Sequence, residues 1–144
     1  KMPAKKTFLK PGKVVIMLAG RYAGRKAIVV QVFGGNRERA FGHCLVAGID
    51  RYPRKVNRTM SQEKVLKRSK IKPFIKYVNF THIMPTRYSV NDIDVKAVLD
   101  SEAMKKLDTR TDARKKVKTL FEDRYLNRGK NTAGVQFLYQ KLRF

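Results

Sequence analysis

Through the first ninety residues the apolar positions fall in short β-branched and aliphatic runs, cut by glycine, proline and cations; beyond residue 110 they change to a helical period. Pro11-Gly12 signals a turn ahead of the run 14–19, and Gly20 and Gly24 bound a short connection to the run 27–33, which Gly34-Gly35-Asn36 closes. Two such runs joined by a tight glycine-bounded loop predict a hairpin. A third strand is predicted over 44–49, ahead of the breaker Tyr52-Pro53. Pro73 breaks the next stretch, which resumes as a strand over 74–80, and Pro85 interrupts another over 83–90. Several short strands separated by turn residues predict a small all-β barrel. Between the third strand and the fourth, Met60, Val65 and Leu66 allow a short helix over 61–67 with Ser61 as its cap.

In the last third Ala113, Val117, Leu120, Phe121 and Tyr125 recur at i, i+4, i+7, i+8 and i+12, one face of a helix predicted over 112–126. Thr111 or Asp112 can cap its start, and Gly129 lies just past its end. The segment 134–144, apolar and aromatic without an acid, reads as a strand or a docked tail. The fold class expected is therefore mainly β with an α extension. A barrel fills 1–90 and carries a basic insertion over 51–72; a linker, a helix and a tail fill 91–144.

At 144 residues the chain has room for one ordinary domain with an extension. Its charge adds most to the picture: 34 Lys and Arg against 11 Asp and Glu give a formal net of +23. The excess is concentrated in residues 1–89, where 21 cations meet only Glu38, Asp50 and Glu63. So many like charges repel one another, and an anionic partner should help to hold the fold. An acidic membrane surface would call for an amphipathic helix in the basic part, which reads instead as strands and loops. No run approaches the roughly 18 apolar residues of a membrane span. The first residues lack the apolar core of a secretion signal, and Cys44, the lone cysteine, suits a reducing compartment.

Chemistry for catalysis is not visible. His43 and His82 are the only histidines, and no Cys/His spacing of a metal site occurs. His43 and Cys44 are neighbours on a predicted strand and should point to opposite faces, which works against a nucleophile pair. Asp92, Asp94 and Asp100 lie in a polar connection, where solvated acids are the ordinary outcome. Gly20 and Gly24 match neither phosphate-loop spacing nor the dinucleotide fingerprint. No metal, cofactor or small-molecule substrate is expected.

Chemistry for nucleic-acid binding is visible in four places. The hairpin loop holds Arg21, Tyr22, Arg25 and Lys26 around Gly24, where glycine admits a phosphate and the aromatic ring offers a stacking face; a merely solvated loop tip is the plainer alternative. Lys13, heading the first strand, joins this set. The second place is Arg51, Arg54, Lys55, Arg58, Lys64, Lys67, Arg68, Lys70 and Lys72, nine cations with Glu63 as the only acid, whereas an ordinary solvated face mixes its signs. The third is Arg87 beside Tyr88, within apolar neighbours that read as core. The fourth, Arg114, Lys115, Lys116 and Lys118, could equally be soluble helix surface beside Asp112, Glu122 and Asp123. Cations spread over loops and a tail suit structured RNA, read through shape and backbone, better than a groove-reading helix.

The stretch Gly12-Lys-Val-Val-Ile-Met-Leu-Ala-Gly20-Arg-Tyr-Ala-Gly24-Arg-Lys-Ala-Ile-Val-Val-Gln-Val resembles a KOW motif, the RNA-binding hairpin of an SH3-like barrel, with Gly24 at its characteristic glycine. Leu45-Val-Ala-Gly-Ile-Asp-Arg-Tyr-Pro-Arg-Lys-Val56, Lys67-Arg-Ser-Lys-Ile-Lys72, His82-Ile-Met-Pro-Thr-Arg-Tyr88 and Gln140-Lys-Leu-Arg-Phe144 extend the likeness. Together they resemble the eukaryotic large-subunit ribosomal protein twenty-seven family. The resemblance implies a structural protein embedded in rRNA of the cytosolic large subunit, with neighbouring ribosomal proteins as partners and assembly in the nucleolus. It places RNA contacts on Arg21, Arg25, Lys26, Arg54, Lys55, Arg68, Lys70 and Arg87. Two rivals remain at this point: the KOW-type RNA-binding module of a transcription elongation factor, and a small nucleic-acid enzyme using Cys44 or the scattered acids.

Overall fold

The computed structural model of the chain describes residues 8–127 and 133–143. Strands β1 (Lys13–Met17), β2 (Lys26–Phe33) and β3 (His43–Arg51) are followed by a short helix α1 (Gln62–Arg68), then by β4 (Lys72–Asn79), a 3-10 turn (Phe80–His82) and β5 (Ile83–Ser89). Helices α2 (Leu107–Leu126) and α3 (Ala133–Tyr139) complete the order, a second 3-10 turn (Glu102–Met104) leading into α2. The strands form one sheet in the order β4-β3-β2-β1-β5, every pair antiparallel. The protein is thus mainly β with a helical C-terminal extension, consistent with a small barrel-like fold.

The β1–β2 hairpin closes through Gly24, whose φ of 78° would strain any other residue and whose N–H donates to the Met17 carbonyl at 2.7 Å. The Met17 N–H in turn donates to the Arg25 carbonyl at 2.9 Å. Both strand prolines, Pro73 in β4 and Pro85 in β5, lie on the two outer strands of the sheet, where a missing N–H is tolerated. They sit inside the strands, so neither breaks its run as the sequence suggested: Pro73 pairs with Ile49, and Pro85 with Val15. Beside Pro85 the β1–β5 register shifts, and Thr86 fills in by donating its hydroxyl to the Val14 carbonyl at 2.7 Å.

Strands β1, β2 and β3 are buried along nearly their whole lengths because both faces of the sheet are covered. One face gathers Val15, Met17, Val29, Cys44, Val46, Phe74, Val78 and Ile83 into a core. The other places Val14, Ile28, Val30, Leu45, Ala47 and Ile49 against Val90, Ile93, Val95 and Leu99 of the linker and against α2 and α3. The extension is therefore the second half of the core. His43 and Cys44 do face opposite ways: Cys44 enters the first core, whereas His43 stacks on Phe33.

The α2 stripe is as expected, with Ala113, Val117 and Phe121 buried and Leu120 and Tyr125 half-buried. The helix nevertheless begins at Leu107, not near residue 112, so Thr111 and Asp112 lie within it and Lys106 is its N-cap. Thr109 ties that first turn down by donating to the carbonyls of Ala103 and Lys106, both at 3.1 Å. Gly129 lies outside the described residues. Helix α1 forms where expected, but Ser61 makes no side-chain cap hydrogen bond and none of the helix's residues is buried. Of the segment 134–144, read as a strand or docked tail, the part up to Tyr139 is instead the helix α3, and residues 140–143 follow without regular structure. In α3, Val135, Leu138 and Tyr139 fall at i, i+3 and i+4 and all enter the core.

Candidate nucleic-acid interface

The end of β3 and the irregular segment 52–55 that leaves it form one wall of an open cleft of about 1280 Å³; α3 and residues 140–143 form the other. Nine cations line it, Arg25, Lys26, Arg51, Arg54, Lys55, Lys72, Arg124, Lys141 and Arg143, with Asp50 as the single acid. Asp50 stands between two of them, 3.5 Å from Arg25 Nε and 3.1 Å from Lys72 Nζ. Asp50, with Asp92 on Arg124, cannot neutralise nine cations, so the cleft keeps a positive potential. The buried Nε of Arg25 makes no hydrogen bond among the described residues, its approach to Asp50 being an ion-pair contact alone.

Local structure fixes the first wall. The Arg54 N–H donates to the Arg68 carbonyl at 2.8 Å and Arg68 Nε returns a bond to the Lys55 carbonyl at 3.1 Å, so the segment after β3 is strapped to the end of α1. The hydroxyl of Tyr52 accepts from the Lys26 N–H at 2.8 Å, and burial pushes that phenol up from its ordinary pKa.

Lys26 joins the two walls. Its ammonium donates to the Phe137 carbonyl at 2.8 Å and lies 3.7 Å from the centre of the Phe137 ring. The residue is 2% exposed and burial lowers its pKa, so it serves as a strut within the cleft wall rather than as an open anion contact. Tyr22 is likewise engaged, stacked on Phe74 with ring centroids 4.1 Å apart and planes 5° from parallel.

Of the remaining residues singled out from sequence, Arg25, Arg51, Arg54, Lys55 and Lys72 come together in the cleft. Arg21 is exposed on the hairpin loop, and Arg58, Lys64 and Lys70 are exposed on or near α1. Lys67 pairs with Glu63 within α1. Arg87 bonds the hydroxyl of Tyr88 at 3.0 Å, which raises its pKa, and Lys13 sits 5.2 Å over the Phe8 ring. On α2, Lys115 pairs with Asp112 and Lys118 approaches Glu122, while Arg114 and Lys116 are exposed. The cleft also contains residues that sequence reasoning did not single out: Lys141 and Arg143, and Arg124, which is held by Asp92 at 3.2 Å. The missed signal was the last ten residues' combination of cations with no acid.

Nothing in the described residues assembles a nucleophile or a metal site. Burial pushes the Cys44 thiol up to about 12, far from a reactive thiolate. No three His, Cys, Asp or Glu side chains among the described residues are grouped to hold a metal. Asp92, Asp94 and Asp100 are exposed and spend their oxygens on Arg124 and on the backbone N–H groups of Ala97 and Ser101. Among the described residues no helix is long and apolar enough to cross a membrane.

Sheet, extension and cleft together define a small, strongly basic β protein with a cation-lined cleft. A family model described as the Ribosomal L27e protein family matches residues 14–144, nearly the whole chain. The chain belongs to that family and is a ribosomal protein of the large subunit.

Proposed function

We infer that the protein is a structural constituent of the cytosolic large ribosomal subunit that binds and stabilises folded rRNA without catalysing a reaction. The cleft carries this reading: besides the buried Lys26 and the Asp92-paired Arg124, seven cations with Asp50 as the one acid of the described lining stand on two walls contributed by distant parts of the chain, and suit an RNA backbone. Arg25, Arg51, Arg54, Lys55 and Lys72 supply one phosphate-facing wall, and Lys141 and Arg143 the other. Arg21, Arg58, Lys64, Lys67, Arg68, Lys70, Arg87, Lys13 and the basic residues of α2 extend the contact outward to further rRNA segments. Neighbouring ribosomal proteins complete the surroundings, and assembly is nucleolar.

The test is binding of transcribed large-subunit rRNA across a salt series. With about six to ten phosphates neutralised, affinity should fall about 10³- to 10⁵-fold between 50 and 200 mM salt. The double variant Arg54→Ala/Lys55→Ala should flatten the slope of log affinity against log salt by about two. A salt-independent affinity, or a tagged chain sedimenting with RNA polymerase and not with large subunits, would overturn the reading.

A further inference from the structure

A second, smaller concavity of about 460 Å³ opens between the connection 34–42 and the turn from β4 into β5. Its lining includes Arg39, Phe41, His43, Lys76, Tyr77 and His82, and no acid among the described residues, although Glu38, Asp100 and Glu102 stand near enough to act on Tyr77 from outside it. The connection is shaped by its own backbone: the Asn36 N–H donates to the Arg39 carbonyl at 2.8 Å, and the Arg39 N–H to Asn36 Oδ1 at 2.9 Å. That turn holds the Arg39 guanidinium 4.5 Å from the centre of the Tyr77 ring.

Below lies His43, buried and stacked on Phe33 with centroids 5.1 Å apart. Its Nδ1 is 3.0 Å from the Phe41 carbonyl, and since a carbonyl only accepts, Nδ1 carries the proton. Phe41, edge-on to His43 at 5.9 Å, is fixed by these contacts yet 48% exposed. A positioned aromatic ring is thus open to solvent while the cations Arg39 and Lys76 line the same concavity. The volume falls within the range of small-ligand pockets. A flat π-face joined to an anionic backbone matches both halves of this lining, the ring and the cations.

We propose that this concavity takes an unstacked base of single-stranded RNA, the base lying on Phe41 and its adjoining phosphates meeting Arg39 and Lys76. The proposal rests on the RNA-binding reading above and adds a base contact to it. Phe41 supplies stacking without charge; Lys76 supplies charge without stacking. The two contributions can therefore be separated.

The experiment titrates the full chain into fluorescein-labelled single-stranded octaadenylate and follows anisotropy. Phe41→Ala should weaken binding about 5- to 150-fold, the range of one lost base–aromatic stack, and leave the salt slope unchanged. Phe41→Trp should bind as the natural chain does, and Lys76→Ala should flatten the slope by about one. Arg54→Ala/Lys55→Ala, in the larger cleft, is the control. If that control weakens binding and Phe41→Ala does not, the base site is overturned and the RNA reading stands. If the natural chain binds neither octaadenylate nor rRNA, both fall. Phe41-dependent binding of an oligoglutamate peptide in preference to the oligonucleotide assigns the surface to an acidic protein and overturns the proposal.

Discussion

Gly48 in β3 stands between Ala27 of β2 and Phe74 of β4, and a Cβ built there would lie 2.5 Å from Phe74 Cζ and 2.7 Å from the Lys26 carbonyl oxygen. The backbone oxygen cannot yield cheaply, so Gly48→Ala should lower stability by about 1–3 kcal/mol, read as a reduced urea midpoint. Cys44, in the same core, sets a pH dependence. Burial raises its thiol from 9.0 to about 12, so above pH 9 the unfolded chain gives up a proton that the folded chain keeps. Stability contributed by the neutral thiol is present below pH 9 and lost as pH rises toward 12. The raised phenols of Tyr52 and Tyr139 act in the same sense. Lys26 opposes them: its lowered pKa means the folded chain loses that proton first, so this group's share of stability grows up to the ordinary lysine value of 10.5. Urea unfolding at pH 8 and pH 10 should accordingly show a smaller alkaline loss for Cys44→Ala than for the natural chain. A thiol reagent at pH 8 should leave Cys44 unmodified until denaturant is added.

At the scale of elements, α3 is the clearest dependency. The Tyr139 hydroxyl donates to the Phe121 carbonyl of α2 at 2.8 Å, a buried bond that ties the two helices. Tyr139→Phe removes that second bond to a carbonyl that α2 still pairs within the helix, and should lower stability by about 0.5–1.5 kcal/mol, with amide exchange quickening first in α3. The helical spacing of Val135, Leu138 and Tyr139 was present in the sequence, yet a strong aromatic and acid-free composition drew the reading toward a strand or tail. A segment of seven residues gives period counting little to work with. The strands were legible because continuous apolar runs report burial on both faces, although nothing local told what covered the second face. The start of α2 was not legible, since residues 107–111 bring no buried side chain and are held by Thr109 and the preceding 3-10 turn. Arg25, Arg54, Lys55 and Lys72 could be chosen from charge density alone. That Lys26 turns inward could not, because its partner, the Phe137 carbonyl, lies 111 residues away.

For the molecule as a whole, four of the ion pairs among the described residues join side chains only three or four residues apart in sequence, largely exposed to solvent. Pairs of that kind contribute little, about 0–1 kcal/mol each, and do not offset a net charge of +23. Raising NaCl from roughly 20 to 300 mM should therefore raise the Tm of the free chain, because shorter screening lengths relieve self-repulsion. Scanning calorimetry that found a salt-independent or falling Tm would contradict this. The strut from Lys26 to Phe137 draws a further result from the same balance. An occupant gripping both sides of the larger groove favours the seated position of the last helix over the lifted one. Thermodynamic reciprocity then requires that whatever loosens that seat weaken the grip by the matching factor. Loss of the buried Tyr139 hydroxyl, which touches no cation of the groove, would thus be felt as slackened attachment to the particle.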